Sequence, residues 1–213
     1  MESSLSQSER TRAAKFFREE DRARYVFSKG RLREILARYL DAPAEDIAFC
    51  ANEFGKPLLD TPFQSSGVCF NVSHSKDLVV IAVAFDRQVG VDVEFVRTID
   101  DFESIARRCF TDCERELVMS EPDSRSSFFR CWTRKEAFVK AIGKGLSVPL
   151  NSINTSLPRG STSGRVHAIG EGAEKIWWLT DVNVPDGYHC AVVKEGDEPS
   201  LIYREWPECS MGY

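Results

Sequence analysis

A chain of 213 residues, 42% hydrophobic and 29% charged, is long enough for one large domain or two small packed halves and has the composition of a soluble globular protein. A net charge of −5 argues against general nucleic-acid binding, and no apolar run approaches a membrane span. The start "MESSLSQSERTRAAKFF" lacks an apolar signal core, so a cytoplasmic location is expected.

From about Glu9 to Tyr39 the apolar positions recur at helical spacing with a break in phase. "DAP" at Asp41–Pro43 should stop the helix. The same region holds Arg10, Arg12, Lys15, Arg18, Arg22, Arg24, Lys29, Arg31 and Arg33, mostly a solvated face, with a few able to meet a phosphate. "EFGKPLLD" reads as a loop punctuated by Gly55 and Pro57. Three strand-like runs follow, "GVCFNVS", "LVVIAVAF" and "VGVDVEFV". The middle run is apolar on both faces and is expected to be central and buried. "DRQ" before the third is short enough for a hairpin. A second helical region starts near Asp100, where Thr111 and Glu114 match a capping box. Another helix begins around "SRSS" and carries "FRCWTRKEAFVKAIGKG", with Gly143 and Gly145 at its end. The remainder alternates strands and loops: "SVPLNSINTSL", "PRGSTSG", "RVHAIG", "EKIWWLTDV" and "YHCAVVK". The tail "PECSMGY" is expected to fray, and no internal repeat stands out. The seven cysteines, Cys50, Cys69, Cys109, Cys113, Cys131, Cys190 and Cys209, form no CxxC pair and lie near no histidine pair that would suggest zinc. Reduced thiols are expected.

The chemistry gathers in three places. On the last helix Trp132, Glu136 and Lys140 recur every four residues and share one face. In "VGVDVEFV" strand alternation puts Gly90, Asp92 and Glu94 on one face, with the two carboxylates about 6.5 Å apart at the backbone. Such a pair is disfavoured in a buried sheet unless a positive charge lies between its members. A hard divalent cation such as magnesium would supply it, whereas a solvent-facing sheet edge would need no ligand at all. Gly90 leaves room for a ligand or another backbone to come close. "FNVSHS" places Ser73 and His74 at a strand end, where they could hold phosphate oxygens. A serine–histidine nucleophile is disfavoured, because adjacent strand residues point to opposite faces and no GxSxG elbow is present. Together these residues describe a magnesium–pyrophosphate site: Asp92, Glu94 and Glu136 on metal, His74 and Lys140 on phosphate.

"FGKP", "FNVSHS", "VGVDVE" and "WTRKEAFVKAIGKGL", in this order from Phe54 to Leu146, resemble the motifs of the Sfp-type 4′-phosphopantetheinyl transferases. With the basic N-terminal helix and the C-terminal strands, the resemblance covers nearly the whole chain. It implies an α+β fold of two similar α/β halves about a pseudo-twofold axis, the active site at their interface, here residues 1–97 and 98–213. It implies a cytoplasmic monomer that transfers the phosphopantetheine arm of coenzyme A to a serine of an apo acyl or peptidyl carrier protein, with magnesium, releasing adenosine 3′,5′-bisphosphate. Carried over by position, Asp92, Glu94 and Glu136 match the magnesium ligands, and Glu136 also matches the acid that deprotonates the serine. Lys140 matches the pyrophosphate lysine. Gly55, Lys56 and Pro57 match the loop around the adenine nucleotide, Ser73 and His74 a phosphate-contacting pair, and Arg12 and Arg24 the basic residues for the 3′-phosphate. The further lysine that the family often has close before Arg12 is missing, since Glu9 and Arg10 stand there. Carrier docking is expected around Phe110 and Thr111. Trp132 is expected to pack between the halves and fix the helix that carries Glu136. A coenzyme A pyrophosphatase and a non-catalytic coenzyme A- or carrier-binding protein are the alternatives.

Overall fold

In the computed structural model, which describes residues 2–168 and 175–205, the basic N-terminal stretch is two helices rather than one. α1 is Gln7–Ala13 and α2 is Glu19–Leu40. Ser6 caps α1 with Glu9 reaching back in a capping box. α2 ends before the proline, because Asp41 turns left-handed at φ 48° and ψ 50°. β1 (Phe49–Ala51) and β2 (Pro57–Leu59) pair antiparallel around the "NEFGK" loop. β3 (Val68–Ser75) and β4 (Leu78–Phe85) form an antiparallel ribbon. β5 (Val89–Phe95) then heads a five-stranded sheet in the order β5-β9-β8-β7-β6, with β6 Ile153–Asn154, β7 Ser163–Ala168, β8 Trp177–Asp181 and β9 Tyr188–Glu195. Between β5 and β6 come α3 (Phe102–Cys109), α4 (Asp112–Ser120) and α5 (Ser124–Ile142). The end of "RVHAIG", Glu174, Cys209 and the tail Pro207–Tyr213 lie outside the described residues.

Two strand expectations are corrected. β4 is the outer strand of a two-stranded ribbon and is only half-buried, whereas β5 is the buried one. "DRQ" makes no hairpin: β5 leaves β4 and pairs instead with β9, Asp92 opposite Ala191 and Glu94 opposite His189. The apolar run of β4 is needed because Val80, Ala82 and Ala84 pack on Val89, Val91 and Val93. The "PRGSTSG" loop is also shorter than expected, since β7 already starts at Ser163.

The edge of β5 that faces away from β9 still carries N–H groups that need acceptors. Asn71, Ser73 and Ser75, two apart on β3 and so on one face, supply them. Their side-chain oxygens accept from the N–H groups of Val91 (2.9 Å), Val93 (3.2 Å) and Phe95 (3.0 Å). Side chains here complete a ladder that backbone would otherwise make.

The result is a mixed α+β fold in which helices, short 3-10 turns and strands follow one another twice, with two helices in the first run and three in the second. The repeat that the sequence hid is visible in its buried charges. In the first run, Glu9 of the α1 capping box takes Arg33 Nε at 2.8 Å, and Arg33 also donates to the carbonyls of Ala44 and Ile47. In the second run, Glu114 of the α4 capping box takes Lys135 Nζ at 2.6 Å, and Lys135 donates to the carbonyls of Leu150 and Ile153. Arg33 is 2% exposed and Lys135 is fully buried. Each is followed at once by a glutamate, Glu34 and Glu136, with a further base four residues on, Arg38 and Lys140. The last strands of the two runs, β5 and β9, pair antiparallel, as a twofold axis between repeats requires.

Gly90 fixes how α5 lies on β5. A Cβ there would sit 2.1 Å from the Ala137 carbonyl oxygen and 2.3 Å from the Ala141 nitrogen. It is another backbone, not a ligand, that uses the room, and small Ala137 and Ala141 face it, both fully buried. Gly90→Ala is expected to cost about 3 kcal/mol, at the upper end for overpacking, because rigid helix backbone rather than a side chain must give way. Urea unfolding of the variant checks this.

Candidate active site

The close approach of α5 to β5 sets the site. Asp92 lies one strand repeat beyond Gly90 and on the same face, and Lys140 precedes Ala141 on the helix. Lys140 Nζ donates to Asp92 Oδ1 at 2.7 Å and to Ser73 Oγ at 3.0 Å. Ser73 donates to the same carboxylate oxygen at 2.9 Å. Asp92 is 5% exposed. Its other oxygen, Oδ2, is buried with no hydrogen-bond partner among the described residues. Glu94, one repeat further, accepts from Ser75 Oγ at 3.2 Å and from the guanidinium of Arg97 at 2.9 Å. Glu136, one helical turn before Lys140, makes no hydrogen bond among the described residues and faces the same opening.

Ser73, His74, Asp92, Glu94, Trp132, Glu136 and Lys140 line one cavity of about 360 Å³. A neighbouring cavity of about 260 Å³ is lined by Phe54, Gly55, Lys56, Pro57, Gly143 and Gly145, and shares Val72, Glu136 and Lys140 with the first. The sequence-predicted residues on the "FGKP" loop, β3, β5 and α5 are thus brought together. Arg12 and Arg24 line neither cavity. The Arg12 guanidinium lies 5.6 Å from the centre of the Tyr25 ring, and Arg24 pairs with Asp77 and Asp21.

Burial is the first cause that pushes Asp92 above the usual carboxylate range, with Glu94 adding to it while Lys140 and Ser73 pull back. Glu136 is also raised, by burial first and then by the Asp92 charge, with Lys140 opposing and Glu94 adding a little. Acids that raise one another and leave a buried oxygen unpaired are short of positive charge. The donors fit a hard divalent cation, which favours carboxylate oxygens. As they stand, however, no group of three or more His, Cys, Asp or Glu side chains among the described residues is drawn together tightly enough to hold a metal. Lys140 and Arg97 occupy the two β5 carboxylates instead.

The loop between β1 and β2 is tied to the end of α5. Asn52 accepts from the N–H groups of Phe54 and Lys56 and donates to the Gly143 carbonyl at 2.7 Å. Lys56 Nζ donates to the carbonyls of Val89 and Ala141 and to Gln88, and burial lowers its pKa to about 8. Its ammonium is thereby committed to joining the loop, β5 and α5. Gly55 and Gly143 both sit at positive φ, 85° and 77°, where a side chain is strained. Asn52, Asn71, Ser75 and Arg97 were missed in the sequence. Asn71 and Ser75 flank Ser73 at strand period, which is a usable signal.

Two further expectations change. Phe110 is 1% exposed and packs on Phe128 and Lys135, so it offers no surface for docking; Thr111 is spent on the capping box. Trp132 stacks on Phe128 at 6.1 Å within the cluster formed by α3, α4 and α5, and its edge lines the cavity.

Two family models match the chain: the 4′-phosphopantetheinyl transferase superfamily over residues 88–193, and the 4′-phosphopantetheinyl transferase N-terminal model over residues 1–86. Among curated proteins, the chain is 43% identical over 145 residues to the 4′-phosphopantetheinyl transferase HetI of Nostoc sp., covering 67% of this chain and 61% of that protein. It is 34% identical over 154 residues to the 4′-phosphopantetheinyl transferase gsp of Aneurinibacillus migulanus, covering 71% of this chain and 62% of the relative. The match therefore spans a little over three fifths of the length of these two relatives. With the 4′-phosphopantetheinyl transferase Sfp of Bacillus subtilis it is 31% identical over 192 residues, 88% of this chain and 81% of the other. Matched at both ends by models of one family and across most of its length by Sfp, the chain belongs to the 4′-phosphopantetheinyl transferases.

Proposed function

We propose that this protein transfers the 4′-phosphopantetheine arm of coenzyme A to a serine hydroxyl of an apo acyl or peptidyl carrier protein, releasing adenosine 3′,5′-bisphosphate in a magnesium-dependent reaction. The observation that carries the reading is the shared cavity, where the unpaired Asp92 oxygen, Glu136 and Lys140 meet. Coenzyme A would lay its nucleotide along the Gly55–Pro57 loop and its pyrophosphate against Lys140, Ser73 and His74, with Arg12 and Arg24 as the basic residues for the 3′-phosphate. Asp92, Glu94 and Glu136 would hold magnesium, which when bound supplies positive charge to the pyrophosphate oxygens.

The carrier serine oxygen attacks the phosphorus that bears the pantetheine arm. A new P–O bond forms while the bond to the bridging oxygen breaks, and the bisphosphate leaves with that electron pair. The serine proton passes to Glu136, which sits one helical turn from Lys140. Lys140 offsets the charge that builds on the phosphate oxygens. Positioning and charge neutralisation do most of the work, as phosphoryl chemistry requires.

We divide the chain at residues 97 and 98 into two halves. One chain supplies β3, β5 and α5 around the cavity, so a monomer suffices. Among the described residues no helix is long and apolar enough to cross a membrane, and Cys50, Cys69, Cys109, Cys113, Cys131 and Cys190 are free thiols, which supports a cytoplasmic setting. The test is incubation with fluorescent coenzyme A, magnesium and a panel of apo-carriers. Carrier labelling that a chelator stops is expected. Release of phosphopantetheine with no carrier labelled would favour a coenzyme A pyrophosphatase, and neither product would leave a binding protein.

A further inference from the structure

The two acids of β5 are not waiting free for a metal. Lys140 Nζ lies 2.7 Å from Asp92 Oδ1, and the Arg97 guanidinium lies 2.9 Å from Glu94 Oε2. The two bases come from different elements, the helix α5 and the chain just after β5, and each takes a different carboxylate. Ser73 and Ser75 hold those same carboxylate oxygens from the β3 side. The buried Asp92 Oδ2, in contrast, has no hydrogen-bond partner among the described residues, and Asp92 lines the cavity. The site is therefore half neutralised by its own cations and half unmet.

Resting on the magnesium-dependent reading above, we propose that Lys140 and Arg97 are exchangeable counter-ions, which keep a divalent cation from seating on Asp92 and Glu94 until a pyrophosphate draws them away. A cation added while Lys140 stays on Asp92 meets a positive charge on the same carboxylate. Withdrawal of Lys140 with no replacement leaves a buried carboxylate unpaired, which is strongly unfavourable. A polyanion solves both problems together, because it offers Lys140 and Arg97 new partners as the cation takes their places. Arg97 is 53% exposed and can swing at little cost. Metal and pyrophosphate binding are then coupled, and by linkage each strengthens the other.

The experiment measures Mn²⁺ binding to the intact protein by calorimetry, with and without coenzyme A. Arg97→Gln and Lys140→Met are each expected to bind Mn²⁺ alone at least about fivefold more tightly than the native protein. In Lys140→Met, coenzyme A is expected to strengthen Mn²⁺ binding by a smaller factor than in the native protein. Lys76→Gln serves as the control: its ammonium lies over the Phe95 ring at 3.2 Å and pairs with no carboxylate among the described residues, so its Mn²⁺ affinity should be unchanged. If coenzyme A still promotes Mn²⁺ binding but neither variant binds Mn²⁺ alone more tightly than native, the counter-ion role is overturned and the proposed function stands. If Mn²⁺ binds neither alone nor with coenzyme A, both are overturned.

Discussion

Lys135→Met is expected to cost about 3–5 kcal/mol of folding stability. Lys135 and Glu114 are fully buried, 2.6 Å apart. Every polar atom of the pair is used: Glu114 Oε1 accepts from Thr155 N and Oγ1, Oε2 accepts from Thr111 N and Oγ1, and Lys135 reaches two carbonyls. The network joins the start of α4, the middle of α5 and the approach to β6. Removal of the ammonium strands a carboxylate where water cannot reach it, whereas the pair as a whole need not be strongly stabilising. The double variant Lys135→Met/Glu114→Gln should therefore recover more than half of the loss, since glutamine keeps an acceptor oxygen for Thr155. Urea unfolding of both variants measures this, and a double variant no more stable than Lys135→Met would contradict it.

Glu136→Gln should be the opposite kind of variant, stable and inactive. A transfer rate about 10²–10⁴-fold below native is expected from loss of a proton acceptor. Because burial and the Asp92 carboxylate raise the Glu136 pKa above 4.5, its ionised form weakens the metal-free fold. A raised folded-state pKa favours stability at low pH and loses it as pH rises through that value. Glutamine mimics the protonated acid, so at neutral pH the variant should melt no lower than native. Magnesium on the same carboxylate would oppose this shift, so the pH dependence is expected in the melting of the metal-free protein. Thermal melts across pH and single-turnover labelling give both readouts.

Local features were legible in the sequence. Thr111 and Glu114 state their capping box in four letters, α5 declares its face by the spacing of Trp132, Glu136 and Lys140, and Gly90 announces a close approach although not what approaches. Partners far along the chain were not legible. β4 and β5 look like a hairpin because they are neighbours in sequence, yet β5 pairs with β9, about a hundred residues away, and no local pattern encodes that choice. The duplication is faint in the sequence because its two buried bases, Arg33 and Lys135, differ in type and the runs around them differ in helix number. Lys56 looked like a ligand contact, but three acceptors hold its ammonium. Phe110 was expected near the docking surface from the resemblance alone, and it is buried.

The most direct test is the mass of an apo-carrier after incubation with coenzyme A, magnesium and either native protein or Asp92→Ala. The account predicts that the native protein adds one phosphopantetheine mass at the carrier's serine while the variant, still folded by circular dichroism, adds none. Full modification by the variant would contradict a reaction carried out between β5 and α5.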